Sequence, residues 1–153
     1  MVKVSASVVI DRPIETVFEF VSDVGNDVKW SSGVVEVRKL SEGPWAVGTR
    51  YTYVRQFLGR KFEVPGELHE FDRPAGFSWR STGVMEAVGR WEFEPVADGT
   101  RATASMEVEA RGIFSLAESV VGGMFRRAMA TDLENLKTLL ESPGGPSGVW
   151  AEG

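Results

Sequence analysis

Between residues 115 and 141 apolar side chains return every three to four positions: Val121, Phe125, Met129, Leu133, Leu136 and Leu140, with Met124 and Ala128 widening the stripe. That period belongs to an α-helix with one apolar face. Ser115-Leu116-Ala117-Glu118 supplies a capping box, in which a hydroxyl and a carboxylate each satisfy an orphan N–H. Ser142-Pro143-Gly144-Gly145 stops the helix. At 3.6 residues per turn the spacing predicts about seven turns. A helix of that length with one wide stripe must bury it against a surface of similar size. The preceding residues must therefore build a sheet.

They have the means. Residues 3–10 alternate, with Val4, Ala6, Val8 and Ile10 on one face. Asp11-Arg12-Pro13 reads as a helix start, Asp11 capping and Pro13 in the first turn. Ile14, Val17, Phe18 and Val21 follow at helical spacing, and a second short helix or turn reaches Trp30. Residues 34–40, 49–58, 61–71, 77–82, 86–95 and 100–110 then read as strands. Turn clusters separate them, among them Gly59-Arg60, 72–76 and Asp98-Gly99. Pro65 and Gly66 suggest an edge position or a bulge in the fourth strand. The expected class is α+β: about seven antiparallel strands whose concave face takes the long helix, with two short helices after the first strand. Residues 1–141 form one domain in this reading, and the Gly/Pro/Ser-rich residues 142–153 a flexible tail.

Composition narrows the chemistry. The 153 residues contain no cysteine and one histidine, His69, so a disulfide, a Cys-ligated metal and a His-rich metal site are excluded. No metal or other cofactor is expected. With 17 basic against 22 acidic residues the net charge is -5, which argues against a nucleic-acid partner. No apolar run approaches the length of a spanning helix, so no stable membrane insertion is expected. The N-terminus carries no signal-peptide pattern, and the cytoplasm is the default compartment. There is no G-x-S-x-G, phosphate loop or dinucleotide fingerprint.

Several stretches, taken in order, carry a resemblance. They are 10–18 (IDRPIETVF) at the first strand–helix junction, Trp30 before the second strand, and 47–51 (VGTRY) opening the third. The fourth strand ends in 68–74 (LHEFDRP), the last hairpin carries 91–95 (WEFEP) and 99–101 (GTR), and the final helix closes on 135–141 (NLKTLLE). In this order the chain resembles the START-like, or SRPBCC, superfamily, which includes polyketide cyclase/dehydrase-like and lipid-transfer proteins. The resemblance covers residues 3–141 and implies a helix-grip fold with a cavity between the curved sheet and its helix. It implies a partner that is a small hydrophobic or amphipathic molecule such as a lipid, polyketide or quinone. A cyclase-like enzyme and a protein-interaction module remain alternatives, and homodimerisation stays open.

Alternation places Phe62, Val64, Gly66 and Leu68 inward on the fourth strand and Phe77, Trp79 and Ser81 on the fifth. Ala87, Gly89, Trp91 and Phe93 follow on the sixth, and Ala102, Ala104, Met106 and Val108 on the seventh. Small residues beside large flat ones describe either a ligand pocket or a filled core. Tyr51, Tyr53, Arg55 and Phe57 share one face of the third strand. If that face is inward, Arg55 can hold an acidic or phenolic head. The expected cavity lining is Trp30, Tyr51, Tyr53, Arg55, Phe62, Trp79, Trp91, Phe93, Met106, Met124 and Phe125. His69 shares a face with Glu63 and Glu67 and belongs at the rim or in solvent. Gly122-Gly123 inside the helix gives ligand clearance, a hinge, or close packing, or marks a slightly late helix start. Ile113, Phe114 and Leu116 gate the cavity, touch a membrane, or staple the helix start. No residue is assigned as catalytic.

Overall fold

The computed structural model describes residues 2–57, 59–83, 86–109 and 118–143. Strand β1 (Val2–Ile10) leads into helix α1 (Ile14–Ser22) and a 3-10 helix (Val24–Lys29). Strands β2 (Val34–Lys39), β3 (Arg50–Phe57), β4 (Arg60–Asp72), β5 (Gly76–Ser81), β6 (Glu86–Val96) and β7 (Gly99–Glu109) follow, and α2 (Glu118–Glu141) closes the order. All seven strands join one curved antiparallel sheet in the order β1-β7-β6-β5-β4-β3-β2. The α+β helix-grip architecture is therefore present, with α2 running along β1. Residues 115–117 of the capping box, the apolar Ile113, Phe114 and Leu116, and the tail from 144 lie outside the described residues, as do the side chains of Glu118, Val121 and Phe57.

The stripe on α2 is not buried evenly. Leu133, Leu136 and Leu140 are sealed in the core, whereas Phe125 and Met129 are half-buried. Met124, read as part of the widened stripe, is 48% exposed and lies off the buried face. The C-terminal turns thus grip the sheet, and the more N-terminal turns leave space beneath them. On the other side of that space α1 drives Phe18 edge-on into Phe71, Phe77 and Phe93, with ring centroids 6.0, 6.2 and 5.8 Å away. This aromatic plug closes one end of the interior.

Two local readings need correction. Asp11 does not cap α1: Pro13 occupies the capping position with no side-chain cap. The Asp11 N–H instead donates to Glu141 Oε2 at 2.7 Å, Arg12 Nη2 donates to the Glu141 carbonyl at 3.0 Å, and Lys137 Nζ donates to the Val9 carbonyl at 2.7 Å. The β1–α1 junction is clamped to the end of α2, which explains why polar residues cluster there. Likewise β4 is interior, not an edge, and Pro65 pairs in register with Thr52. Proline forfeits only its N–H, and its carbonyl still accepts from Thr82 N at 3.1 Å. The irregularity falls further on, between Leu68 and Glu70.

Candidate functional site

The space beneath α2 is a cavity of about 220 Å³. Its apolar wall includes Trp79 on β5, Ala87 and Trp91 on β6, Ala104 and Met106 on β7, and Phe125 and Met129 on α2. Glycines shape the wall by letting rings lie flat on the sheet. A Cβ at Gly89 would stand 2.2 Å from the Trp79 indole, and one at Gly66 would stand 2.6 Å from the Tyr51 ring. Trp30 meets Trp91 edge-on at 5.8 Å, and Trp91 stacks on Phe93 at 5.8 Å. Alanines at 87 and 104 leave the volume that these rings do not fill.

One corner of the cavity is polar. Tyr51, Tyr53 and Arg55 alternate inward on β3 opposite Gly66, Val64 and Phe62. The Arg55 guanidinium lies 5.4 Å from the centroid of the Tyr53 ring. Arg55 remains exposed, so it stands at the rim. Among the described residues it has no ion-pair partner. From α2 comes Asp132, whose carboxylate accepts from Ser31 Oγ at 2.9 Å, Ser32 N at 2.9 Å and Ser32 Oγ at 2.7 Å. That bond set ties the turn after the 3-10 helix to α2. Asn135 adds a bond to the Trp30 carbonyl at 3.2 Å.

Asp27 completes the corner. It is 8% exposed, and the Tyr53 hydroxyl donates to its Oδ2. Burial pushes its pKa up to about 8; the Tyr53 bond and Arg55 pull it down, while Asp132 and Asp23 push it further up. Its Oδ1 and the Trp30 Nε1–H are both buried without a hydrogen-bond partner among the described residues. Burial also raises both tyrosines, helped by the neighbouring Asp27, so their hydroxyls stay protonated. The Asp27, Tyr51 and Tyr53 group is therefore largely uncharged at neutral pH.

Of the residues expected on the wall, Trp30, Tyr51, Tyr53, Arg55, Trp79, Trp91, Met106 and Phe125 stand on it. Three do not. Phe62, 37% exposed, is on the correct face of β4 but beyond the rim. Phe93 is consumed by the Phe18 plug, and Met124 points away from the sheet. His69 is exposed in an open surface groove with Lys3 and Glu70. Asp27 and Asp132 are site residues that the sequence reading misses. Asp27 sits in residues 24–29 (VGNDVK), which the sequence marks only as a short helix or turn. Its signal is the offset of three to Trp30, which in a 3-10 helix puts both on one side. Among the described residues no three His, Cys, Asp or Glu side chains gather as a metal site would require. No described helix is long and apolar enough to cross a membrane.

Solved structures show the same fold. TTHA0849 from Thermus thermophilus superposes with a TM-score of 0.76 at 22% identity, over 88% of this chain and 94% of that one. NE0264 from Nitrosomonas europaea gives 0.70 at 21%, over 92% and 94%. The di-domain ARO/CYC BexL from the BE-7585A biosynthetic pathway gives 0.70 at 18%, over 92% of this chain and 50% of that one. Among curated proteins the sequence has no match. The profile described as polyketide cyclase / dehydrase and lipid transport matches residues 1–141, and the chain belongs to that family.

Proposed function

We propose that this protein binds or carries a small hydrophobic or amphipathic molecule, its apolar body against Trp79, Trp91, Ala104 and Met106 and its polar end toward Tyr53 and Arg55. The observation that carries this reading is the cavity itself: about 220 Å³ of space with an apolar wall and one polar corner. Ligand pockets usually combine these two features. Their usual span is ~300–1,000 Å³, so the cavity suits a compact ring system better than a long acyl chain. The family description and the ARO/CYC neighbour support a ligand of this general kind. Ala104→Phe tests it. The added ring fills the cavity at an overpacking cost of about 1–3 kcal/mol. The variant is expected to fold yet lose an apolar fluorescent probe that the wild type binds. Failure of the wild type to bind any such probe would remove the basis of the reading.

The buried Asp27–Tyr53 pair favours a second reading, a cyclase-like enzyme in which this pair moves protons. It predicts that Asp27→Asn keeps ligand binding and loses turnover of a cyclisable ligand.

A further inference from the structure

Nearly everything the polar corner has left to offer is a donor. The Arg55 guanidinium has no carboxylate partner among the described residues. Within the same set the Tyr51 hydroxyl makes no hydrogen bond. Among the described residues the Trp30 Nε1–H is buried and unpartnered, as is Asp27 Oδ1. The acceptors are largely engaged: Asp132 accepts three bonds from Ser31 and Ser32, and Asp27 Oδ2 accepts one from Tyr53. A carboxyl kept in its acid form by an apolar site carries a proton and so donates as well. Asp27, Trp30, Tyr51, Tyr53, Arg55 and Asp132 all stand on the wall of the same cavity.

We propose that Asp27, Trp30, Tyr51 and Arg55 form a head-group subsite for a hydrogen-bond-accepting oxygen at the end of the ligand, a ketone, phenolate or carboxylate, and that the subsite refuses an ammonium head. The inference rests on the cavity being a ligand site and adds the chemistry of the end that enters the corner. An ammonium would bring only donors and would meet Arg55 as a like charge. An oxygen acceptor meets complementary groups on several sides. The groups acting on Asp27 are Tyr53 and Arg55 from β3, Asp23 after α1, and Asp132 from α2, with Tyr51 beside them on the wall. With a pKa of about 8, Asp27 is mostly in its acid form at pH 7 and mostly ionised at pH 9. Ionisation removes its donated proton and places a negative charge against the ligand oxygen, so capture of an acceptor head must weaken over that interval.

Three naphthalene probes of similar size separate the possibilities, read by quenching of tryptophan fluorescence on the full chain. They are 2-acetonaphthone with an uncharged acceptor, 2-ethylnaphthalene with no polar head, and 2-naphthylmethylamine with an ammonium. At pH 7 the ketone is expected to bind about tenfold tighter than the hydrocarbon, the scale of one to two net hydrogen bonds. The ammonium is expected to bind more weakly than either. From pH 7 to pH 9 the advantage of the ketone should shrink about tenfold, although neither the ketone nor the hydrocarbon titrates there. Asp27→Asn should abolish that pH dependence, because an amide keeps its N–H donors at every pH. Trp30→Phe, which keeps an aromatic ring beside Trp91 and removes the N–H, should cost the ketone roughly fivefold more than the hydrocarbon. Equal, pH-independent binding of ketone and hydrocarbon overturns the subsite and leaves the cavity reading standing. Preferential binding of the ammonium also overturns it. Binding of none of the three overturns both.

Discussion

Replacing Asp27 by Asn should stabilise the protein, by an amount set by pH. In the unfolded chain the carboxyl titrates near its ordinary value of 3.8; in the fold, burial holds it near 8. Between those values the folded state keeps a proton that the unfolded state has released. The unfolded state therefore binds fewer protons, and the stability of the wild type falls as pH rises. The slope is about 1.4 kcal/mol per pH unit. The penalty is absent below about pH 4, grows through neutrality and levels off above about pH 8. At pH 7 it amounts to about 4 kcal/mol, comparable to a large core truncation. Asn has almost the same shape and no proton to lose, so it removes the pH-dependent part. Its own hydrogen bonds to Tyr53 add an offset that does not vary with pH. Urea unfolding of both proteins at pH 4.5, 5.5, 6.5 and 7.5 separates slope from offset. The stability difference should move in favour of the Asp27→Asn variant by roughly 1 kcal/mol or more at each step. A difference that stays flat across the series would show that Asp27 titrates normally and that the corner is wet.

Arg55→Met should weaken binding of 2-naphthoic acid by roughly 1–1.5 kcal/mol and leave 2-ethylnaphthalene unchanged in the same fluorescence titration. The effect stays below the ~1.5–3 kcal/mol of a buried charged hydrogen bond because Arg55 is exposed at the rim. His69→Ala should change neither probe, since His69 is exposed in a groove that does not include the polar corner. Leu136→Ala removes a fully buried side chain where α2 grips the sheet and should cost about 2–5 kcal/mol in urea unfolding. A cost under about 1 kcal/mol would mean that the grip lies elsewhere on the helix.

The sheet and its helix were legible because each rests on a period. Ala87, Gly89, Trp91 and Phe93 are all buried on β6, as an alternation of two requires. Alternation puts Tyr51, Tyr53 and Arg55 on one face of β3 without saying which way it looks; the placement of β3 in the sheet turns that face inward and brings Tyr53 and Arg55 to the wall. Period says which face a residue is on, but not how far along the sheet the cavity extends. Phe62 and Phe93 share inward faces with cavity residues, yet one falls past the rim and the other inside the plug built by Phe18. Met124 fails for a related reason, since helical spacing of three to four tolerates a neighbour that faces away from the sheet. Asp27 was hidden because burying a carboxyl contradicts its composition class, and only the tertiary approach of Tyr53 makes the position tenable. The Asp11–Glu141 clamp was hidden because it joins residues 130 positions apart.

Methyl NMR of the methionines tests the cavity as a ligand site most directly. Met106 and Met129 stand on the cavity wall, and Met124 is exposed on the outer side of α2. With 13C-methyl methionine in the full chain and 2-acetonaphthone as the probe, nuclear Overhauser contacts should connect the naphthalene protons to the Met106 and Met129 methyls and not to Met124. Contacts to Met124 alone, or unperturbed Met106 and Met129 methyls at saturating probe, would place the ligand outside the cavity and contradict the account.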